Sequence, residues 1–324
     1  MKLIRFLKDW TLIISILAGI AGYFIYTAMP FTASVKADVN KAVNIVQPLL
    51  IFLMLFLTFS RIEVRKLRMR TWHLWLLCIQ CGLFTLIGCI LMLIPHSGFR
   101  IVLEGAMICL ICPTATAGAV ITQKLGGNVN DITTYTILIN LSTAILIPAL
   151  VPFVHPNPDI TIWTAAILIL SKVFPILLFP LLAAIVTRHL FPRFNSKIAS
   201  HPNISFYLWA VSLSLATAIT TRSIVHTDTV LSTQIWLTAI SLICCGAQFY
   251  IGRKIGALYH DTITAGQSLG QKNTVFAIWV GYSFFTPITS IAGGFYSIWH
   301  NIVNSYQLYK HHKGAQQSSS QHQP

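Results

Sequence analysis

The chain of 324 residues is 55% hydrophobic and only 9% charged, with a mean hydropathy of +0.71. A soluble domain usually carries about 25% charged residues, so composition excludes a soluble fold and points to a membrane protein. The formal net charge of +14 raises nucleic acid as a partner, and where those charges fall decides whether one is needed.

Ten apolar runs, each long enough to cross a bilayer as a helix, occupy residues 10–29, 42–60, 72–95, 101–122, 131–153, 160–187, 204–221, 232–252, 259–284 and 288–308. Short connections leave no room for a soluble domain. The first run follows Lys2, Arg5 and Lys8, but it is long for a signal-peptide core and lacks a clear small-residue cleavage site, so it reads as the first spanning helix. With the N-terminus in the cytoplasm, 16 of the 22 Lys and Arg fall on the cytoplasmic side. Four (Lys36, Lys41, Arg100, Arg222) fall outside, and Lys172 and Lys272 lie within spans. The positive-inside rule therefore accounts for the charge, puts both termini in the cytoplasm and makes nucleic acid unnecessary. The chain is expected to be a multi-pass protein of the cell inner (plasma) membrane, surrounded by membrane lipids. The polar, low-complexity segment 310–324 is expected to be a disordered cytoplasmic tail.

All seven cysteines fall inside the runs. The pairs Cys78 with Cys81 and Cys109 with Cys112 have C-x-x-C spacing, which invites a zinc reading. The 27 residues between the pairs exceed the usual zinc spacing, and four thiolates around one zinc would leave net negative charge in the bilayer. Packing cysteines, no metal and no cofactor are the reading.

An all-α chain of ten spans divides as five plus five, and an odd number per half inverts the second half relative to the first. Residues 1–155 and 156–309 then form two inverted repeats, the plan of secondary transporters, whose binding sites lie at the midplane where paired helices are interrupted. Spans four and nine should each carry a break. Span four contains CPTATAGAV (112–120), where Pro113 removes an amide donor and Thr114, Thr116 and Gly118 can reorganise the freed backbone groups. Span nine contains GQSLGQKNT (266–274), with Gly270 at its centre. Pro113, Gly118 and Gly270 are the candidate hinges of the two crossing helices. Lys272 lies in the second break, with no acidic residue within eight positions on either side. With about a dozen residues of span on each side it is too deep to snorkel to an interface.

The segments ICPTATAGAVITQKLGGN, SLGQKNTVFAIWV and GGFYSIWHNIVNS resemble the first crossover, the second crossover and the tenth helix of the bile acid:sodium symporter family. The resemblance covers nearly the whole chain. It implies a panel domain of spans one, two, six and seven and a core domain of spans three to five and eight to ten. It implies transport of organic anions, bile acids or smaller carboxylates, by alternating access coupled to sodium. Substrate contacts would fall on Thr116, Asn273, His300 and Asn301, with Thr114 and Thr274 beside them. The N-terminal ends of half-helices suit such an anion physically, since they present free amides and a positive dipole end.

Sodium is where this chain departs from the family. At the positions of the usual ligands stand Gly118, Ala119, Ile132 with Thr136, Ser268, Lys272 and Gln80. Only Thr136, Ser268 and Gln80 keep side-chain oxygens, and the carboxylate is gone. A hard cation needs several oxygens in place of its water. Two unit charges about 4 Å apart at an effective dielectric near 20 repel by about 4 kcal/mol, roughly a thousandfold in affinity. Sodium binding beside Lys272 is therefore doubtful, and the Lys272 ammonium is expected to replace the ion. An ionisable group at membrane depth is a typical proton carrier, so Lys272 could also couple transport to protons. Gln271 joins Lys272, Gln80, Thr136 and Ser268 as the ion-site or coupling set.

Glu104, close to Arg100, reads as an interfacial, solvated carboxylate. Lys172 could face the substrate cavity from the panel. Asp131 and Asp261 begin helices, where capping accounts for them. The acidic residues are scattered and no intramembrane hydrolase motif appears, so the chain does not read as an enzyme. Two alternatives stand beside the anion carrier. One is a non-transporting membrane sensor or channel of the same fold; the other is an arsenite-type efflux carrier, for which Cys112 would be the reactive thiol.

Overall fold

The computed structural model describes residues 11–320 apart from 63, 96 and 228. Residues 1–10, with Lys2, Arg5 and Lys8, therefore lie outside the described residues, as do 321–324. Among the described residues the chain is helical and has no strand. In order the helices are α1 Thr11–Ala28, α2 Ala33–Phe59, α3 Thr71–Leu93, α4 Arg100–Ile111, α5 Gly118–Lys124, α6 Val129–Val154 and α7 Ile162–Leu190. They continue with α8 Pro192–Ala199, α9 Pro202–Val225, α10 Leu231–Ala257, α11 Thr262–Gly270, α12 Thr274–Phe284 and α13 Ser290–Ser320.

Six of these helices contain stretches long and apolar enough to cross a membrane: Ala33–Phe59, Thr71–Leu93, Val129–Val154, Ile162–Leu190, Tyr207–Val225 and Leu231–Ala257. Ile13–Ala28 and Thr274–Phe284 are shorter apolar helices. Large apolar side chains such as Leu93, Trp163 and Leu231 lie on the outer surface. Such a surface would be a liability in water and suits acyl chains. Together with the apolar helices it makes the chain a multi-pass membrane protein.

The helices end for local reasons. Asn128 caps α6, its Oδ1 accepting the amides of Asn130 and Asp131. Asp131 is therefore not itself the cap. It sits in the first turn, where its charge meets the helix dipole, and pairs with Arg70 Nε at 3.2 Å. Thr161 caps α7. The end of α2 is closed from a distance: Arg188 Nη2 donates to the carbonyls of Phe59 and Ser60, and Asn195 Nδ2 to that of Ser60.

The short helix α8, with Pro192 at its first position, was not among the ten runs. It is only half apolar, so a search for spans passes over it. α13 runs on to Ser320, through most of the segment expected to be disordered. Its Lys, Gln and Ala residues are good helix formers that extend an already formed helix.

The helices pack in two groups. α1 lies along α9, α2 along α7 and α9. In the other group α3 packs on α4 and α6, α10 on α4, α11 and α13, and α12 on α13. Between the groups α6 lies along α7, and a buried cluster joins them, with Ile51 and Leu55 from α2, Val173 and Leu177 from α7, and Val275 to Val280 from α12.

Glu104 corrects an expectation. Its side chain is 1% exposed, held by Arg100 Nε at 3.1 Å, with His155 Nδ1 at 3.5 Å and the Thr289 hydroxyl at 3.5 Å. It is buried and paired, because the end of α6 and the turn before α13 fold over a position that the chain alone presents near the edge of a run.

Candidate functional site

Pro113 sets the first interruption. It has no amide to donate to the carbonyl of Cys109, and it forces the preceding residue out of helical geometry. Cys112 takes φ −52° and ψ 133°, and α4 stops at Ile111. Side chains from other helices satisfy the released carbonyls. Gln248 Nε2 donates to Cys109 O at 3.2 Å, Gln80 Nε2 to Ile111 O at 3.2 Å and Cys112 O at 3.0 Å, and Thr143 Oγ1 to Ile111 O at 3.0 Å.

The second interruption lies against the first. α11 ends at Gly270, and Gln271 to Asn273 are extended before α12 begins. Ala115 N donates to Gln271 O at 3.0 Å and Asn273 N to Pro113 O at 2.8 Å, a single antiparallel bridge between Thr114 and Lys272. The Thr114 hydroxyl donates to Ser268 O at 2.7 Å and the Tyr296 hydroxyl to Gly270 O at 2.7 Å. Asn273 restarts the helix by accepting the amide of Phe276 on Oδ1. Non-helical backbone at membrane depth is thus paired inside the protein, as a membrane requires.

The candidate hinges are held in different ways. Neither Gly118 nor Gly270 has a positive φ. A Cβ at Gly270 would lie 2.4 Å from the Phe249 ring, so that glycine serves close packing of α11 on α10.

Two helix C-termini, those of α4 and α11, and two N-termini, those of α5 and α12, meet at the crossing. Helix ends carry about half a unit charge each, negative at the C-terminus. Lys272 lies in this junction. Its side chain is 1% exposed and Nζ has no hydrogen-bond partner among the described residues. Beside it, Ser268 Oγ, Gln271 Oε1, Asn273 Nδ2 and His300 Nδ1 are also buried and unpartnered.

A cavity of about 30 Å³ opens between the crossing and the other helix group. Thr116, Gln271, Lys272, Asn273, Thr274, His300 and Asn301 line one side, Met54 of α2 and Trp209 of α9 the other. A water fits this space and an organic anion does not, so admitting one requires α2 and α9 to move from α12 and α13. His300 stands edge-on to Tyr296 at 5.8 Å, and Asn301 Nδ2 bonds its own helix at Ser297 O.

The structure therefore gathers Thr116, Asn273, Thr274, His300 and Asn301 around one cavity. Thr114 is buried behind it and holds α11. Gln80 holds α4 with its amide nitrogen, while its Oε1 accepts from Tyr135. Thr136 bonds its own helix at Ile132 O. Lys172 lies outside the cavity, its ammonium 6.0 Å from the centre of the Phe284 ring. Cys112 is fully buried and does not line the cavity. Sequence reading missed Tyr135, Thr143, Gln248 and Tyr296 as supports and Met54 and Trp209 as the opposite wall. Tyr296 alone had a signal, three residues into a recognised motif.

An all-helical membrane chain with two helices interrupted against each other has the architecture of a membrane transporter. The family model described as the SBF-like CPA transporter family matches residues 10–296, and the chain belongs to that family. No curated protein matches it.

Proposed function

We propose that the protein carries organic anions across the inner membrane by alternating access, without sodium, the Lys272 ammonium standing where a bound ion would otherwise hold the crossing together. The single observation that carries this reading is the state of the crossing. The carbonyls of Ile111, Cys112, Ser268 and Gly270, which could ligate an ion, already accept from Gln80, Thr143, Thr114 and Tyr296. The charge left in the junction is that of Lys272. Cation charge beside helix C-termini is favourable, and in transporters of this kind such ends and unwound carbonyls hold the coupling ion.

Anion recognition follows from the opposite ends. The first amides of α12 have no partner within the helix, and they border the same cavity as Asn273 and His300. A carboxylate or sulfonate would accept from them, with Lys272 supplying the field.

The packing supports two inverted repeats, 1–155 and 156–309. Exchanging the halves turns α1 on α9 into α7 on α2, α3 on α4 into α10 on α11, α3 on α6 into α10 on α13, and α4 on α13 into α11 on α6. The supports follow the same rule: Gln80 with Tyr135 in one half, Gln248 with Tyr296 in the other. The two helix groups correspond to a panel and a core that would rock against each other. The charge count along the chain supports cytoplasmic termini.

Thermal unfolding against a panel of organic anions, each in sodium and in potassium buffer, tests the proposal. A ligand at about 100 times its Kd stabilises by about 2.7 kcal/mol. Equal stabilisation in both buffers is expected. Stabilisation that requires sodium would overturn the role given to Lys272.

A further inference from the structure

We infer that a row of buried waters runs from the pocket beside Asn128 to the Lys272 amine, and that this row is the route by which the amine exchanges its proton with the cytoplasm. The inference rests on the reading of Lys272 as the ionisable group at the crossing of a carrier with cytoplasmic termini.

Thr264, Gln267 and Ser268 lie at i, i+3 and i+4 on one face of α11, and Gln271 follows immediately past its end. Each is 2% exposed or less. A polar face on a buried helix needs partners, and these side chains meet only some of theirs. At the solvent end, Asn128 N donates to Thr264 Oγ1 at 3.0 Å, and Asn128 lines a pocket of about 510 Å³ shared with Asp131 and Asp261. Thr122 and Thr264 flank Gly127: a Cβ there would lie 2.7 Å from the one and 3.0 Å from the other. One turn deeper, Gln267 Nε2 reaches Asn304 Oδ1 at 3.2 Å and Gln307 Oε1 at 3.0 Å. Ser268 and Gln271 then lead to the crossing.

Along this line Thr122 Oγ1, Gln267 Oε1, Asn304 Nδ2, Ser268 Oγ, Gln271 Oε1 and Lys272 Nζ are all buried without a partner. Buried polar atoms are almost always satisfied, and one left dry costs about 1–3 kcal/mol. A buried water takes two to four such atoms. Donors and acceptors that alternate along one seam between α5, α11 and α13 therefore describe sites for a short file of waters.

The approach along α4 is apolar. α4 approaches the crossing through Gly105, Ala106, Met107, Ile108, Cys109, Leu110 and Ile111, and Glu104 is engaged by Arg100. The titratable side chains near the amine are the thiols of Cys81 on α3, Cys109 on α4, Cys112 just past its end, and Cys244 and Cys245 on α10, with the His300 ring of α13 on the same small cavity. The far end of the file meets Arg70, Asp131, Tyr259, His260 and Asp261. A proton that leaves Nζ passes to the first water as its N–H bond breaks, the amine becomes neutral, and an equal charge moves along the file to the cytoplasmic pocket.

Solid-state NMR of full-length protein in bilayers, labelled with nitrogen-15 at lysine Nζ, tests this directly. Lys272→Met identifies the Lys272 signal. Magnetisation transfer from water protons to that signal is expected in the wild type, and the signal should follow buffer pH. Gln267→Leu with Asn304→Leu should reduce the transfer by roughly fivefold or more, since apolar walls expel the waters. Thr122→Val, nearly isosteric, provides the same test should the double variant not fold. A dry Lys272 signal in the wild type, or transfer unchanged in the variants, overturns the inference. Anion stabilisation that survives Lys272→Met would remove the transport role and leave the water file standing, so the two failures are distinguishable.

Discussion

The Tyr135 hydroxyl donates to Gln80 Oε1 at 2.8 Å and so fixes the amide whose nitrogen closes the end of α4. Both residues are fully buried. Tyr135→Phe leaves one acceptor unpaired and should lower stability by about 1–2 kcal/mol. Gln80→Leu frees Ile111 O only in part, since Thr143 still reaches it, but strands Cys112 O and the Tyr135 hydroxyl. A larger loss of about 2–4 kcal/mol is expected. Thermal unfolding of the two variants in the same detergent checks the order, and equal stability of Gln80→Leu and wild type would refute it.

Gly270→Ala should destabilise through packing and not through backbone freedom. Its φ is not positive, and the added methyl meets the Phe249 ring at 2.4 Å. Overpacking of this kind costs about 1–3 kcal/mol. Phe249→Leu in the same chain should recover part of the loss. A double variant less stable than the sum of its single changes would show that Gly270 is needed for another reason.

These two cases mark how far the chain could be read unaided. The interruptions were legible, because Pro113 and the polar residues 266–274 act on their own backbone. The groups that satisfy the freed carbonyls were not. Gln248 lies 139 residues from Cys109, and nothing in a span rich in cysteine and apolar residues marks one glutamine as a support. Glu104 was misread for the same reason: its neighbours His155 and Thr289 arrive from other helices. Met54 and Trp209 have ordinary apolar surroundings along the chain and become a cavity wall only when the two helix groups face each other.

Lys272→Met should lower stability and abolish the response to anions. The ammonium's favourable interaction with the C-terminal ends of α4 and α11, about 1–2 kcal/mol for a charge at a buried helix end, is lost with it. Unfolding midpoints with and without the anion identified for the wild type measure both effects. A variant that loses stability and keeps its anion response would show that the ammonium serves the fold alone.

α9 and α13 meet along a seam between the two helix groups. Ser290 Oγ lies 3.4 Å from Ser223 Oγ, and a Cβ at Gly294 would lie 2.9 Å from Thr220 Cγ2 and 3.1 Å from its Oγ1. α9 and α13 are therefore in close contact where Gly294 carries no side chain. The cavity at Asn273 and His300 is too small for an organic anion, so these helices must part for one to enter. Gly294→Ala adds the clash to the closed arrangement only, and a displacement of a few tenths of an ångström relieves it in an open one. A change that destabilises one of two conformations by about 1.4 kcal/mol shifts their ratio tenfold. Hydrogen exchange of the α9 amides should therefore quicken in Gly294→Ala, with little change in α3, which packs away from the seam. Exchange that quickens equally throughout would mean general destabilisation. Exchange that stays unchanged would mean that the seam does not open between α9 and α13.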